Sequence, residues 1–418
     1  MTEFMSQQPD HQPITPESVA QLLENAQIVI PEDGVYNKLK SAEEEGRQLR
    51  IKMGFDPTSP DLHLGHAVSM HQLRRFQEMG HLPVIIIGDF TGRIGDPSGR
   101  NQSRPLATPE ELTRNAETYI EQLGKVLDTS RIEVHRNSEW LEGMTLTDVI
   151  RLLAQGTLSQ VISRDDFRKR LDAGSPVALH EIIYPFLQGM DSVAIDADIE
   201  VGGVDQLYAF QAGRTLQDNK GDDPQALVMM PLLRGLDGHK KMSKSLGNYV
   251  GLHDEPNNMF GKVMSIPDSL IEEYLRLAST FSDDETQGML SAIQRGDNPM
   301  ETKLRLACNI TTTYHGETAA DEAQGHFNRQ FRGQREEERD YRVVKVAQGV
   351  TSLTDILVST GVTDSRSKAR RLINEGGVRI NGEKVSLEAS ERLEQVDGLR
   401  IRAGRRNFIQ TQVDASDS

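Results

Sequence analysis

Arg50-Ile51-Lys52-Met53-Gly54-Phe55, His63-Leu64-Gly65-His66 and Val84-Ile85-Ile86-Ile87 lie between residues 50 and 87 and decide the fold. The first reads as a short strand, closed by Asp56-Pro57-Thr58. A helix is expected from about Leu64 to Met79, because Ala67, Met70, Leu73 and Phe76 recur at helical spacing and Gly80 supplies a stop. The β-branched run at 84–87 marks a strand covered on both faces. Strand, helix and strand make a βαβ unit, so an α/β fold with a parallel sheet and a right-handed crossover is expected.

His63 and His66 stand where that first strand gives way to the helix. A pair of helix-end histidines is the ordinary reading. The chemical reading is that Gly65 lets a ligand approach the backbone, while the helix N-terminus offers unpaired N–H groups and a positive dipole to phosphate. Two imidazoles there can donate hydrogen bonds to a triphosphate whose charge builds on the leaving group. Zinc is the rival, but no evident third and fourth ligands accompany the pair. Much later comes Gly238-His239-Lys240-Lys241-Met242-Ser243-Lys244-Ser245-Leu246-Gly247, far too polar for a buried element. It reads either as an exposed basic loop or as a flexible one that closes over phosphates with mobile cations.

The rest of the chain sets bounds on these readings. With 418 residues, two or three domains are expected. No apolar run approaches the roughly 18–20 residues of a membrane span. Met1-Thr2-Glu3-Phe4 opens a polar stretch with neither a basic nor an apolar signal region, and Cys308 is the single cysteine. A reducing, cytoplasmic setting is therefore expected, without a disulfide or a four-cysteine zinc site. The net charge of −16 argues against a protein coated all over by nucleic acid. That average conceals an asymmetry, because residues 364–410 carry a net +4 and the remainder −20. An acidic body with a small basic end can hold RNA through that end.

Residues 108–180 look mainly helical, as do 268–314, and the charged stretch 333–342 suggests a domain boundary. In the tail, Leu353, Ile356 and Leu357 mark a short helix and Ser365 to Glu375 a second. Asn381-Gly382 between Val378-Arg379-Ile380 and Val385 is a two-residue hairpin signal. The divisions expected are a catalytic domain over 1–255 with a helical insertion near 108–180, a helical domain over 256–335, a linker over 336–350 and a basic module over 351–412.

H-x-G-H after the first strand, with K-M-S-K-S far downstream, resembles the class I aminoacyl-tRNA synthetases. The likeness is closer still to bacterial-type tyrosyl-tRNA synthetases. It is carried by Gly54-Phe55-Asp56-Pro57-Thr58, Gly88-Asp89-Phe90-Thr91-Gly92-Arg93-Ile94-Gly95-Asp96-Pro97-Ser98-Gly99, Tyr184-Pro185-Phe186-Leu187-Gln188-Gly189-Met190-Asp191 and Gly202-Gly203-Val204-Asp205-Gln206. That resemblance implies a Rossmann-like catalytic domain, an α-helical domain on the anticodon side of the tRNA, and a small α+β RNA-binding domain of the S-four type. It implies a homodimer that uses ATP with Mg²⁺, L-tyrosine and tRNA(Tyr), with no other cofactor, no protein-bound metal and no membrane partner.

Residue by residue, the resemblance places His63, His66 and Thr58 on the ATP phosphates and makes Lys241 and Lys244 the cations that stabilise departing pyrophosphate. Arg100 and Arg104 match basic residues of a second loop. Asp56, Gly203 and Asp205 fall on the adenosine ribose, and Gly65, Met242 and Ser243 complete the nucleotide site. Asp96, Tyr184 and Gln188 fall on the α-ammonium group, Asp191 on the phenol hydroxyl, and Thr91 and Gln206 in the same pocket. Tyr184, Gln188 and Asp191 are spaced four and three apart, so one helix face carries all three. Arg366, Lys368, Arg370, Arg371 and Arg379 would meet RNA. One departure stands out, because many tyrosyl enzymes have a tyrosine where this chain has Lys52. A tryptophanyl enzyme is the nearest rival, against which Asp191 and the basic tail argue. A non-catalytic RNA-binding relic should have lost the signatures this chain keeps, and a small-molecule nucleotidyltransferase would not need the tail.

Overall fold

A six-stranded sheet organises the first part of the chain: β1 (Ile28–Ile30), β2 (Arg50–Phe55), β3 (Leu82–Ile87), β4 (Glu133–Arg136), β5 (Ile199–Gly203) and β6 (Ala226–Met230). The computed structural model describes residues 13–96, 108–332, 341–347, 349, 351–391, 393, 395–404 and 407–413. The strand order is β1-β6-β5-β2-β3-β4. β1 runs antiparallel to β6, and every other neighbouring pair is parallel. Growth of the sheet goes outward from β2 in one direction through β3 and β4, then returns to add β5 and β6 on the other side. This is doubly wound topology, and the order reverses between β2 and β5. Ligands of such sheets bind outside the carboxyl ends of the strands at that reversal.

The βαβ reading holds: the helix spans Leu64–Glu78, and Gly80 follows at φ +91°. Leu64, Val68, Met70, Leu73 and Phe76 are all at most 2% exposed, each worth about 1.5–3 kcal/mol of burial. The expected helical stretch 108–180 departs from the reading at one point, because β4 lies within it. Glu133-Val134-His135-Arg136 forms the sheet edge with alternating exposure, and a polar edge strand gives no apolar run to read. Downstream, the helix Leu179–Ala194 leads to β5, and the helix Leu207–Lys220 leads to β6.

The chain divides into two compact units, residues 1–320 and 321–418. The helices between Pro256 and His315 therefore belong to the first unit, whereas a separate domain was expected from 256. They are tied to it by Tyr274, whose hydroxyl donates to the Arg234 carbonyl at 2.8 Å, and by Glu273 on Arg234 at 2.7 Å. In the second unit β7 (Arg342–Val346), β8 (Val378–Ile380), β9 (Glu383–Lys384), β10 (Arg400–Ala403) and β11 (Asn407–Val413) form a sheet in the order β7-β11-β10-β8-β9. The expected linker over 336–350 is corrected by β7, which pairs in parallel with β11 along its whole length. Helices Leu353–Ser359 and Arg366–Asn374 fall where the tail pattern put them. Asn381 at φ +47° and Gly382 at φ +91° make the hairpin turn.

Candidate active site

The carboxyl ends of β2 and β5 carry the first residues of the site. Asp56 follows β2, Gly203 ends β5, and the turn Val204–Gln206 brings Asp205 and Gln206. Thr58 closes the turn after β2, its N–H donating to the Asp56 carbonyl at 2.7 Å. The Leu62–Leu64 segment that enters the helix is clamped by main-chain bonds from beyond the lysine loop. Leu64 N–H donates to the Val250 carbonyl at 3.0 Å, and Leu252 N–H to the Leu62 carbonyl at 2.9 Å. These two bonds place H-x-G-H beside K-M-S-K-S.

His63 and His66 stack at the helix start with ring centroids 3.9 Å apart. His63 N–H donates to His66 Nδ1 at 3.2 Å, which assigns the proton of the neutral His66 ring to Nε2. Burial, with Lys244 and Lys241 nearby, pushes His66 down to about 3, and burial followed by His66 holds His63 well below the usual range. Both are neutral donors at physiological pH. Gly65 is the residue the stack needs, since a Cβ there would sit 3.0 Å from the His63 ring and 3.6 Å from Met242 Cβ.

The lysine loop is a hairpin. Gly235 N–H donates to the Lys240 carbonyl and Met242 N–H to the Leu233 carbonyl, both at 2.8 Å. Asp237 Oδ1 accepts from the N–H groups of His239 and Lys240. Asn248 draws the far side in, donating to Asp237 and the Lys241 carbonyl and accepting from Ser243 N–H at 2.8 Å. Lys241 pairs with Asp205 at 2.7 Å. Lys244 reaches the Ser59 hydroxyl and the Asp61 carbonyl, and burial brings it down to about 8.

A second cluster lies along the helix Leu179–Ala194. Tyr184, Gln188 and Asp191 are all buried on it, at 4%, 7% and 3% exposure. The Tyr184 hydroxyl donates to Asp56 Oδ2 at 3.0 Å, and the Thr91 hydroxyl donates to Asp56 Oδ1 at 2.8 Å. Asn137 links this pair to Asp191: its amide donates to Thr91 Oγ1 at 2.9 Å and to Asp191 Oδ2 at 3.4 Å. Trp140 Nε1–H donates to Asp191 Oδ1 at 2.9 Å. Burial pushes both carboxyls up to about 7. For Asp56 the neighbouring Asp96 and Asp191 add to the rise; for Asp191 the Lys52 charge opposes it. The Gln188 side-chain oxygen and His63 Nδ1 are buried without a hydrogen-bond partner among the described residues.

Asn137 and Trp140 escaped the sequence reading. Trp140 is the single tryptophan of the chain, but only the strand β4 brings it under Asp191. Lys52, the departure in the sequence, is taken up by partners within the protein. Its ammonium is fully buried, 2.8 Å from Glu200 Oε1, 2.8 Å from Ser192 Oγ and 3.1 Å from the Gln188 carbonyl. Arg100 and Arg104 lie outside the described residues. Gln206 is half-buried beside the end of β5. No group of three or more His, Cys, Asp or Glu among the described residues could hold a metal ion.

In the second unit Arg366, Lys368, Arg370 and Arg371 are exposed on one short helix. Three of them hold local acidic partners, Asp355, Asp364 and Glu375. Arg379 is half-buried on β8, its guanidinium on the Gly382 carbonyl at 2.9 Å.

Residues 44–332 match the family model described as tRNA synthetases class I (W and Y), and residues 335–409 match that of the tyrosine–tRNA ligase SYY-like C-terminal domain. Similar proteins include tyrosine–tRNA ligase 2 of Photorhabdus laumondii, 48% identical over 93% of this chain and 98% of the relative. The tyrosine–tRNA ligase of Thermotoga maritima is 44% identical over 94% of this chain and 97% of its own length. Among solved structures, tyrosyl-tRNA synthetase of Archaeoglobus fulgidus complexed with L-tyrosine shares the fold. Its TM-score is 0.60 at 22% identity, covering 75% of this chain and all of that one.

Proposed function

The chain belongs to the class I tRNA synthetases, in the tyrosine–tRNA ligase family, and from that premise we propose how its residues carry out the reaction. The tyrosine carboxylate attacks the α-phosphorus of ATP, the bond to pyrophosphate breaks, and tyrosyl-adenylate forms. The terminal ribose hydroxyl of tRNA(Tyr) then takes the tyrosyl group and releases AMP. No protein atom is covalently changed, so positioning and charge stabilisation supply the rate.

Asp191 carries the tyrosine reading. It is a buried carboxylate oriented by Trp140 and Asn137, with burial that makes an unpaired phenyl ring costly to admit. A site built to bond a substrate hydroxyl rejects the analogue lacking it far better than a site built on fit, a point for which tyrosyl enzymes are a standard illustration. Asp56, Asp96, Tyr184 and the unpartnered Gln188 oxygen form an acceptor-rich wall suited to the α-ammonium group. Thr91 and Gln206 line the same pocket. Gly203, Asp205 and Asp56 would meet the ribose, and Gly65, Met242 and Ser243 the remainder of the nucleotide. His63 and His66, as neutral donors at a helix N-terminus, and Thr58 would hold the phosphates. Lys241 and Lys244 would follow the charge onto pyrophosphate, assisted by Arg100 and Arg104. Mg²⁺ would arrive with ATP as part of the substrate.

The exposed cations Arg366, Lys368, Arg370 and Arg371, with Arg379, suit phosphate contacts to tRNA in an S-four-type domain. A homodimer is supported by Leu146, Ile150, Leu158 and Leu179, which are 60–80% exposed in one region of the sequence. No helix among the described residues is long and apolar enough to cross a membrane, and a cytoplasmic enzyme is the reading we adopt. The test is ATP–pyrophosphate exchange with single amino acids. Tyrosine should drive exchange and Lys244→Ala should abolish it, whereas exchange with tryptophan but not tyrosine would overturn the assignment.

A further inference from the structure

Lys52 and Glu200 stand directly opposite each other on β2 and β5, the two strands between which the sheet order reverses. Their side chains are 0% and 1% exposed, and their charged atoms are 2.8 Å apart. The Lys52 ammonium donates to the Ser192 hydroxyl and to the Gln188 carbonyl, and it forms an ion pair with the Glu200 carboxylate. Glu200 is held in turn by Ser192 Oγ at 3.2 Å and by the Gln225 amide. Both partners on the helix bracket the phenol carboxylate: Gln188 lies one turn before Asp191, and Ser192 follows it directly. The Tyr184–Asp56 bond ties the same helix to the end of β2.

We propose that Lys52 and Glu200 are positioning residues for tyrosine recognition: Lys52 fastens the helical turn bearing Gln188 and Asp191 to the sheet, and the pair sets the charge balance that keeps Asp191 an acceptor for the phenol. This rests on the tyrosine reading above. The charged groups that act on Asp191 come from β2, the residue that follows it, and β5. Lys52 on β2 favours its ionised form, Glu200 on β5 opposes it, and Asp56 at the end of β2 is coupled to it. Trp140 and Asn137, after β4, add neutral donors to its two oxygens. Lys52 and Glu200 therefore push Asp191 in opposite directions.

The experiment titrates tyrosine against the emission of Trp140, the single tryptophan and a direct partner of Asp191, at pH values on either side of neutrality. Lys52→Met should move the acid limb of tyrosine affinity to higher pH, by on the order of one unit, and Glu200→Gln should move it to lower pH. The double variant Lys52→Met/Glu200→Gln removes both buried charges and should fold, since neutral replacement of a buried pair is often tolerated. Its affinity for tyrosine should fall on the order of tenfold while its KM for ATP stays within about twofold, because the ties to Gln188 and Ser192 are lost and the nucleotide contacts are not. Unchanged tyrosine affinity in the folded double variant overturns the proposal. So do single variants that shift the limb in the same direction, and equal losses toward tyrosine and ATP. Failure of the wild-type protein to bind tyrosine, with exchange driven by another amino acid, would instead remove the functional reading beneath it.

Discussion

Asp191 shows how little the identity of one residue settles before its neighbours are known. Alone it is a carboxylate on a helix; with Trp140 and Asn137 as donors and Lys52 below, it becomes an oriented acceptor. Its proton affinity has a consequence for rate. Asp56 and Asp191 are both raised to about 7, so in the free enzyme their ionised forms accumulate as pH rises through neutrality. Lys244 is lowered to about 8, so its charge is present below that pH and lost above it. The kcat/KM of pyrophosphate exchange should accordingly be bell-shaped, with an acid limb belonging to the coupled carboxyls and an alkaline limb belonging to Lys244. Lys244→Arg should erase the alkaline limb, because guanidinium does not titrate in that range. A limb that persists in that variant would assign the group elsewhere.

Among elements, the hairpin formed by residues 233–248 is the one whose conformation the chemistry needs. In the proposed reaction its lysines serve only if the loop returns over the phosphates, and Asn248 closes it with bonds to Asp237, Lys241 and Ser243. Gly235 permits this, because a Cβ there would stand 2.3 Å from Asn248 Cγ and 2.5 Å from the Asn248 carbonyl oxygen. No flexible side-chain end can yield, since part of the obstacle is backbone. Gly235→Ala should lower kcat for exchange by at least about tenfold and raise the KM for ATP. Tyrosine binding read through Trp140 should stay within about twofold, and an equal loss of tyrosine affinity would place the fault in the fold and not in the loop.

For the molecule as a whole, the division into residues 1–320 and 321–418 separates the candidate active site from the basic module. Every described residue of the candidate active site lies in the first unit, and the cationic helix Arg366–Asn374 lies in the second. Deleting residues 341–418 should therefore spare tyrosine-dependent exchange and reduce tRNA charging by on the order of tenfold or more at moderate salt. A truncation at residue 345, inside the expected linker, would instead leave residues 342–344 of β7 behind without β11, the strand they pair with. Undiminished charging by the shorter protein would show that RNA is gripped elsewhere.

By itself the sequence determined the βαβ start, the placing of the histidine pair at a helix N-terminus, and the face shared by Tyr184, Gln188 and Asp191. These are properties of short segments, where spacing maps directly onto geometry. The placement of β4 was illegible because an edge strand needs no apolar run, and Asn137 and Trp140 were hidden with it. Lys52 was visible as a departure and uninterpretable in isolation. Its partners are 136 to 148 positions away, and only the pairing of β2 with β5 brings Glu200 opposite and turns the ammonium beneath the pocket. A buried charge takes its meaning from whatever the fold packs around it, and that long-range packing is what the tertiary structure decided.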